Sequence, residues 1–184
     1  MYLMIIAVEG INGSGKTTLI KKLEHTFNNQ NPIVCHHPNS CSFEGEKALD
    51  CFGENKNLEG GLWALEDINR SYAIAKQYPE NCHIWSRCQM STLVYNGKFH
   101  RDFTALKNKI VRDKSYPDCL IYLDIPPGIC WERVITRNRA KDINLTLEKL
   151  KKDYSRYQEI KKIFKALHQE NKIKYYFEYK LENN

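Results

Sequence analysis

Gly10-Ile11-Asn12-Gly13-Ser14-Gly15-Lys16-Thr17 places three glycines, a lysine and a threonine within eight residues near the start of the chain. An apolar run, Leu3-Met4-Ile5-Ile6-Ala7-Val8, precedes it. Thr18-Leu19-Ile20-Lys21-Lys22-Leu23 follows with helical spacing. Strand, glycine-rich loop and helix with G-x-x-x-x-G-K-T spacing make a phosphate-binding P-loop. The glycines let backbone N–H groups converge on phosphate oxygens, and the helix N-terminus adds a positive end to the same pocket. In such a loop Lys16 reaches the β- and γ-phosphates of a nucleotide, and the Thr17 hydroxyl sits on Mg²⁺.

The remaining composition narrows the class. The chain has 184 residues, 42% hydrophobic and 27% charged, which fits one globular domain with a proper core. The longest clean apolar run is residues 3–8, so no membrane span is expected, and no export signal is read at the N-terminus. Seven cysteines, at 35, 41, 51, 82, 88, 119 and 130, form no C-x-x-C pair and read as reduced thiols of a cytoplasmic protein. The net charge of +6 is concentrated in 149–165, which reads as a solvated helix face; an anionic small substrate also suits a basic protein. No nucleic-acid partner is expected.

Taken in order, the chain alternates strands and helices. Helix is expected over 16–27, strand at Ile33-Val34-Cys35, and a short helix over 44–52 ended near Gly53. A longer helix is expected over 57–78, with Leu58, Leu62, Leu65 and Ile68 on its apolar face. A third strand, Cys82-His83-Ile84-Trp85, ends at Ser86-Arg87; helical segments follow over 90–97 and 102–112. Cys119-Leu120-Ile121-Tyr122-Leu123 is the fourth strand, followed by helix 127–137, a basic loop, helix 145–169 and a last strand from Lys172 to Phe177. This pattern predicts an α/β fold of the three-layer P-loop NTPase type: a five-stranded parallel sheet with helices on both faces, ligands binding at the C-terminal strand ends.

Arginines mark a second anionic site. Arg87 follows a strand, as the P-loop does, so the two loops share a crevice, and its fork of donors can clamp a second phosphate. Arg133, Arg137 and Arg139 surround the end of the 127–137 helix, where mobile arginines can stabilise charge on a moving phosphoryl group. A GTPase reading is disfavoured, because Asn55-Lys56-Asn57-Leu58 has Leu where the N-K-x-D guanine motif needs Asp.

Val8-Glu9-Gly10-Ile11-Asn12-Gly13-Ser14-Gly15-Lys16-Thr17-Thr18 and Pro117-Asp118-Cys119-Leu120-Ile121-Tyr122-Leu123-Asp124-Ile125-Pro126-Pro127 both resemble segments of the thymidylate kinases, within the nucleoside monophosphate kinases. Glu132-Arg133 with Arg137, and Arg87, Ser91, Tyr95, Asn96 and Gly97, resemble further motifs of that family. The resemblance covers residues 3–178 and implies transfer of the ATP γ-phosphate to dTMP, giving dTDP, with Mg²⁺. It implies that Gly10, Asn12, Gly13, Ser14, Gly15, Lys16, Thr17 and Thr18 hold ATP. Lys16, Arg87, Arg137 and Arg139 would be catalytic, the last two on a lid near 137–145. Trp63, Arg70, Arg87, Ser91 and Tyr95 would bind the acceptor, with Trp63 stacking the base. Thr17 and Ser86 would stand by the metal, and a homodimer is implied.

The sequence departs from the family at several points. Asn12 and Ser86 stand where the family has Asp, and Cys88 where it has Tyr. Asp67 occupies the position four residues after Trp63 where a base-reading Arg is expected, with Arg70 close to one turn on. The sequence ends soon after its last strand, without the closing helix the resemblance implies. Two other readings stay open: a deoxynucleoside kinase, which needs a general base near the second strand's end, where His36 and His37 stand, and a non-catalytic nucleotide-binding protein.

Overall fold

The computed structural model describes residues 4–51, 57–139 and 142–181. The expected helix stop at Gly53 and the middle of the basic loop, Ala140-Lys141, lie outside them. Strands β1 (Met4–Glu9), β2 (Ile33–His36), β3 (Cys82–Ser86), β4 (Cys119–Asp124) and β5 (Tyr175–Lys180) form one sheet in the order β2-β3-β1-β4-β5. All pairs are parallel. Among the described residues seven α-helices accompany it: α1 (Lys16–Thr26), α2 (Phe43–Asp50), α3 (Asn57–Gln77), α4 (Gln89–Asn96), α5 (His100–Asp113), α6 (Pro127–Arg137) and α7 (Leu147–Gln169).

Burial explains the layering. Successive strand residues face opposite sides of a sheet, yet Ile5, Ile6, Ala7 and Val8 are all buried. A strand buried on both faces needs helices on both, which is the three-layer arrangement that its unbroken apolar run predicts. The central position of β1 follows, and with it the position of the P-loop. Val8 pairs with Ser86 on one side and Ile121 on the other, so the loops leaving β1, β3 and β4 emerge together. The N-terminal half of β1 is tied down by Asp118, which accepts a bond from the Ile5 N–H at 2.8 Å.

Two expectations shift. The last strand begins at Tyr175, not Lys172. The N–H groups of Lys172 and Ile173 both turn back to the Leu167 carbonyl, and Asn171 takes the left-handed conformation (φ 56°) that ends α7. Ile173 is then spent as a buried plug behind the sheet. The face of α3 also rotates. Its buried residues are Gly60, Gly61, Ala64, Leu65, Asp67, Ile68, Ser71 and Ala75, whereas Leu62 is exposed. Small residues, not leucines, set this phase: a Cβ on Gly61 would lie 2.8 Å from Leu106 of α5, so the helices approach too closely for a larger side chain.

Part of the basic run 149–165 is consumed internally. Lys161 of α7 bridges Asp124 (3.1 Å) and Glu178 (2.9 Å), and Lys165 reaches Glu178 at 2.5 Å. These pairs fasten α7 to the ends of β4 and β5. Burial works against the Glu178 charge, but the Lys165 and Lys161 ammonium groups prevail and hold its carboxyl down at about 2, against an ordinary 4.5. A depressed carboxyl contributes stability above its unfolded pKa and loses it as pH falls through the folded value. Glu178→Gln should therefore be less stable than the parent near neutrality and should flatten the decline between about pH 4.5 and 2. Urea unfolding at stepped pH checks this; parallel curves for the two proteins would contradict the pairing.

Candidate active site

The P-loop geometry follows from its glycines. Gly13 and Gly15 have φ of 85° and 100°, conformations that L side chains rarely adopt. A Cβ on Gly13 would also strike the Cys130 carbonyl at the start of α6. Ser14 is buried, and among the described residues its hydroxyl has no hydrogen-bond partner. The Lys16 ammonium donates to the carbonyls of Gly10 (2.7 Å) and Ile11 (2.8 Å). Burial and the nearby Arg87 guanidinium push the Lys16 ammonium well below the usual lysine range, with Glu9 opposing them.

Around this loop lies a cleft of about 750 Å³ lined by Asn12, Gly13, Gly15, Lys16, Thr17, Thr18, Ser86 and Arg87, with Arg133, Arg137, Arg139 and Asp142 on the far wall. Five of these side chains are cationic and only Asp142 is anionic, which suits a polyphosphate. Arg137 donates to Asp142 at 2.8 Å, and Arg133 reaches the Gly13 carbonyl at 3.4 Å. Arg133 and Arg139 are exposed, so they are free to reorient. Of the expected donor-side residues, Asn12, Gly13, Gly15, Lys16, Thr17 and Thr18 line the cleft with the three arginines, while Gly10 and Ser14 are not among its lining.

Arg87 stands at the inner end. It has φ of 80°, and its N–H donates to the Val8 carbonyl (3.0 Å), which fixes the strand-end turn. Its guanidinium donates to Asn12 (2.8 Å) and Ser91 (3.1 Å) and lies 5.0 Å from the centre of the Tyr95 ring. Burial alone would lower its pKa, but Tyr95, Tyr157 and Glu9 push it up, so its charge is permanent. Behind it, the fully buried Glu9 carboxylate accepts from the Cys88 N–H (2.6 Å), the Ser91 N–H (3.0 Å) and hydroxyl (2.6 Å), and the Tyr157 hydroxyl (3.0 Å).

A second cavity of about 540 Å³ opens beyond Arg87, lined by Asn57, Ala64 and Ile68 of α3, Ser91, Thr92, Tyr95 and Asn96 of α4, and Lys149 and Asp153 of α7, among others. It shares Asn12, His37 and Arg87 with the first. Of the expected acceptor residues, Arg87, Ser91 and Tyr95 line it. Trp63 and Arg70 do not. The rotated phase of α3 places Trp63 edge-on against Phe43 of α2, 5.7 Å between ring centres, and Arg70 beside Glu44 at 3.5 Å. Ala64 and Ile68 take the cavity wall instead.

The donor set can be compared with Mg²⁺. Among the described residues no three His, Cys, Asp or Glu side chains cluster as metal ligands. Thr17 and Ser86 offer hard, neutral hydroxyl oxygens to the cleft. That fits a magnesium ion carried mainly by nucleotide phosphates and water, which is how this ion binds where the protein supplies few ligands.

A sequence model of the thymidylate kinases matches residues 8–178. The chain belongs to the thymidylate kinase family. It is therefore an ATP-dependent nucleoside monophosphate kinase. Among curated thymidylate kinases, that of Blochmanniella floridana is 31% identical over 148 residues, covering 72% of this chain and 69% of the relative. That of Leptospira interrogans serovar copenhageni is 28% identical over 165 residues (85% and 81%), and that of Thermosipho africanus 26% over 176 residues (88% and 87%). In this member of the family, the turn from β3 into α4 and the middle of α7 converge on one carboxylate behind Arg87, Glu9. The Cys88 and Ser91 N–H groups can only donate, and all four bonds are strengthened by the carboxylate's charge, which an amide lacks. Glu9→Gln should lower stability by about 3 kcal/mol in urea unfolding. A loss under about 0.5 kcal/mol would refute the hub.

Proposed function

We propose that this chain transfers the γ-phosphate of ATP to dTMP, giving dTDP, as a single cytoplasmic domain that takes nucleotides and not nucleic acid. The family it belongs to supports a homodimer. The observation that carries the reading is the pair of adjoining cavities meeting at Asn12, His37 and Arg87. One is suited to a polyphosphate, the other to a nucleoside with its phosphate toward Arg87, and the shared residues mark where donor and acceptor would touch.

Each group then has a task. The P-loop amides and Lys16 hold the donor phosphates, and the Thr17 hydroxyl, with Ser86, stands by for Mg²⁺. Bound there, Mg²⁺ supplies neutralisation of phosphate charge. Arg87 orients the acceptor phosphate, an anion already able to attack. Arg137 and Arg139 close a lid over 137–145 and meet the charge that builds on the transferred group. No proton has to be removed, so positioning and charge stabilisation carry the catalysis. No helix among the described residues is long and apolar enough to cross a membrane.

ADP release measured with ATP·Mg²⁺ and each nucleoside monophosphate tests the reading. We expect dTMP to give the highest kcat/KM, and Lys16→Met to lower kcat at least about 100-fold without unfolding the protein. A different preferred monophosphate, or a Lys16→Met enzyme with unaltered kcat, would refute it.

A further inference from the structure

His37 takes no part in the proposed transfer to a monophosphate, yet it is among the most deliberately placed side chains in the molecule. It sits at the end of β2, is 5% exposed, and lines both cavities at their junction. Its Nδ1 lies 2.6 Å from Asp67, itself 1% exposed on the buried face of α3. Asp67 also accepts from the Asn39 N–H (2.9 Å) and the Ser42 hydroxyl (2.5 Å), and Ser42 in turn caps α2 through the Gly45 N–H (2.9 Å). Burial disfavours the Asp67 charge, but the bonds from His37, Ser42 and Asn39 outweigh it and keep the carboxyl below its ordinary range.

The tautomer follows. An ionised carboxylate only accepts, so the proton sits on Nδ1. In the neutral ring that leaves a lone pair on Nε2, which is buried and has no hydrogen-bond partner among the described residues. The ring is held edge-on to Trp85, 5.3 Å between centres, so it cannot readily turn away. A carboxylate fixing one nitrogen of a ring that lines both cavities, with the other nitrogen unpartnered, is the arrangement of a general base. A monophosphate gives such a base little to do, because most of its acceptor oxygens carry no proton at neutral pH. A hydroxyl does.

We propose that the same cleft also phosphorylates a nucleoside at its 5′-hydroxyl, with His37 as general base and Asp67 as its positioning residue. The inference rests on the donor half of the function proposed above. As the 5′ oxygen forms its bond to the γ-phosphorus, its proton passes to His37 Nε2. The bond from that phosphorus to the bridging oxygen breaks, and ADP leaves with the electron pair. The imidazolium then returns its proton to water. Arg87 faces the transferring group in this step, and the product is a monophosphate, the acceptor of the first reaction.

The test is turnover of the full chain with ATP·Mg²⁺ and labelled thymidine, compared with dTMP under the same conditions. We expect labelled dTMP and then dTDP from thymidine. His37→Gln should lower the ratio of thymidine to dTMP turnover at least about 100-fold, the usual worth of a general base. Asp67→Asn should lower the same ratio about 10-fold or more by loosening the tautomer. Circular dichroism and thermal melting on each sample report folding, and His37→Asn serves if the glutamine variant does not fold. Wild-type turnover of dTMP with none of thymidine would overturn this inference and leave the monophosphate reading standing. Inactivity toward every acceptor would overturn both. An unmoved ratio in folded His37 variants would remove His37 as the base.

Discussion

Glu9 is the constraint on which the active end of this protein depends. A carboxylate with no exposure costs several kcal/mol unless donors surround it. Here they come from the turn after β3, the first turn of α4 and the middle of α7. The cost of burying the charge therefore becomes a geometric instruction: the turn from β3 into α4 and the middle of α7, far apart in sequence, must converge on the end of β1. Arg87 rests in the middle of that convergence, its backbone on Val8 and its guanidinium on Asn12 and Ser91. The left-handed conformation of a bulky residue such as Arg87 is strained, and the surrounding bonds over-determine it.

The two cavities differ in how they are built. The donor cleft has a rigid floor, made by glycines packed against α6, and a loose wall of exposed arginines on α6 and just beyond it. The acceptor cavity is lined by side chains of α3, α4 and α7, packed helices whose mutual contacts leave less room to move. This division suits a reaction in which the acceptor must be presented at a fixed angle while the donor is enclosed and released at each cycle.

How much was legible in the sequence depended on distance along the chain. The P-loop was legible because its strand, glycines, Lys16 and helix are contiguous and each position has one physical job. The parallel sheet was legible from apolar runs separated by helical spacing. Trp63 and Arg70 misled because the phase of α3 is set by Gly60 lying against the end of α2 and Gly61 against α5, contacts that leucine periodicity does not reveal. The strand start at Tyr175 was obscured because Lys172-Ile173-Lys174 alternates like a strand while its amides close a helix. The links from His37 to Asp67, 30 residues apart, and from Glu9 to Tyr157, 148 apart, are tertiary facts. The one local hint was a carboxylate on the apolar face of α3.

Seen together, the junction obeys one electrostatic pattern. Each cleft-facing group that could meet the acceptor, Arg87 and His37, has a buried carboxylate near it, Glu9 and Asp67. The two couplings are not alike. Glu9 acts on Arg87 through the field and through shared neighbours, Ser91 and Tyr157, so the guanidinium bonds other partners and keeps its charge. Asp67 bonds the imidazole directly and so selects which nitrogen carries the proton. The first arrangement makes a permanent cation, suited to holding a phosphate. The second makes an oriented lone pair, suited to a group with a proton to give. A junction that contains both is furnished for acceptors of two kinds, and the choice between them is left to how deeply the acceptor sits beside Arg87.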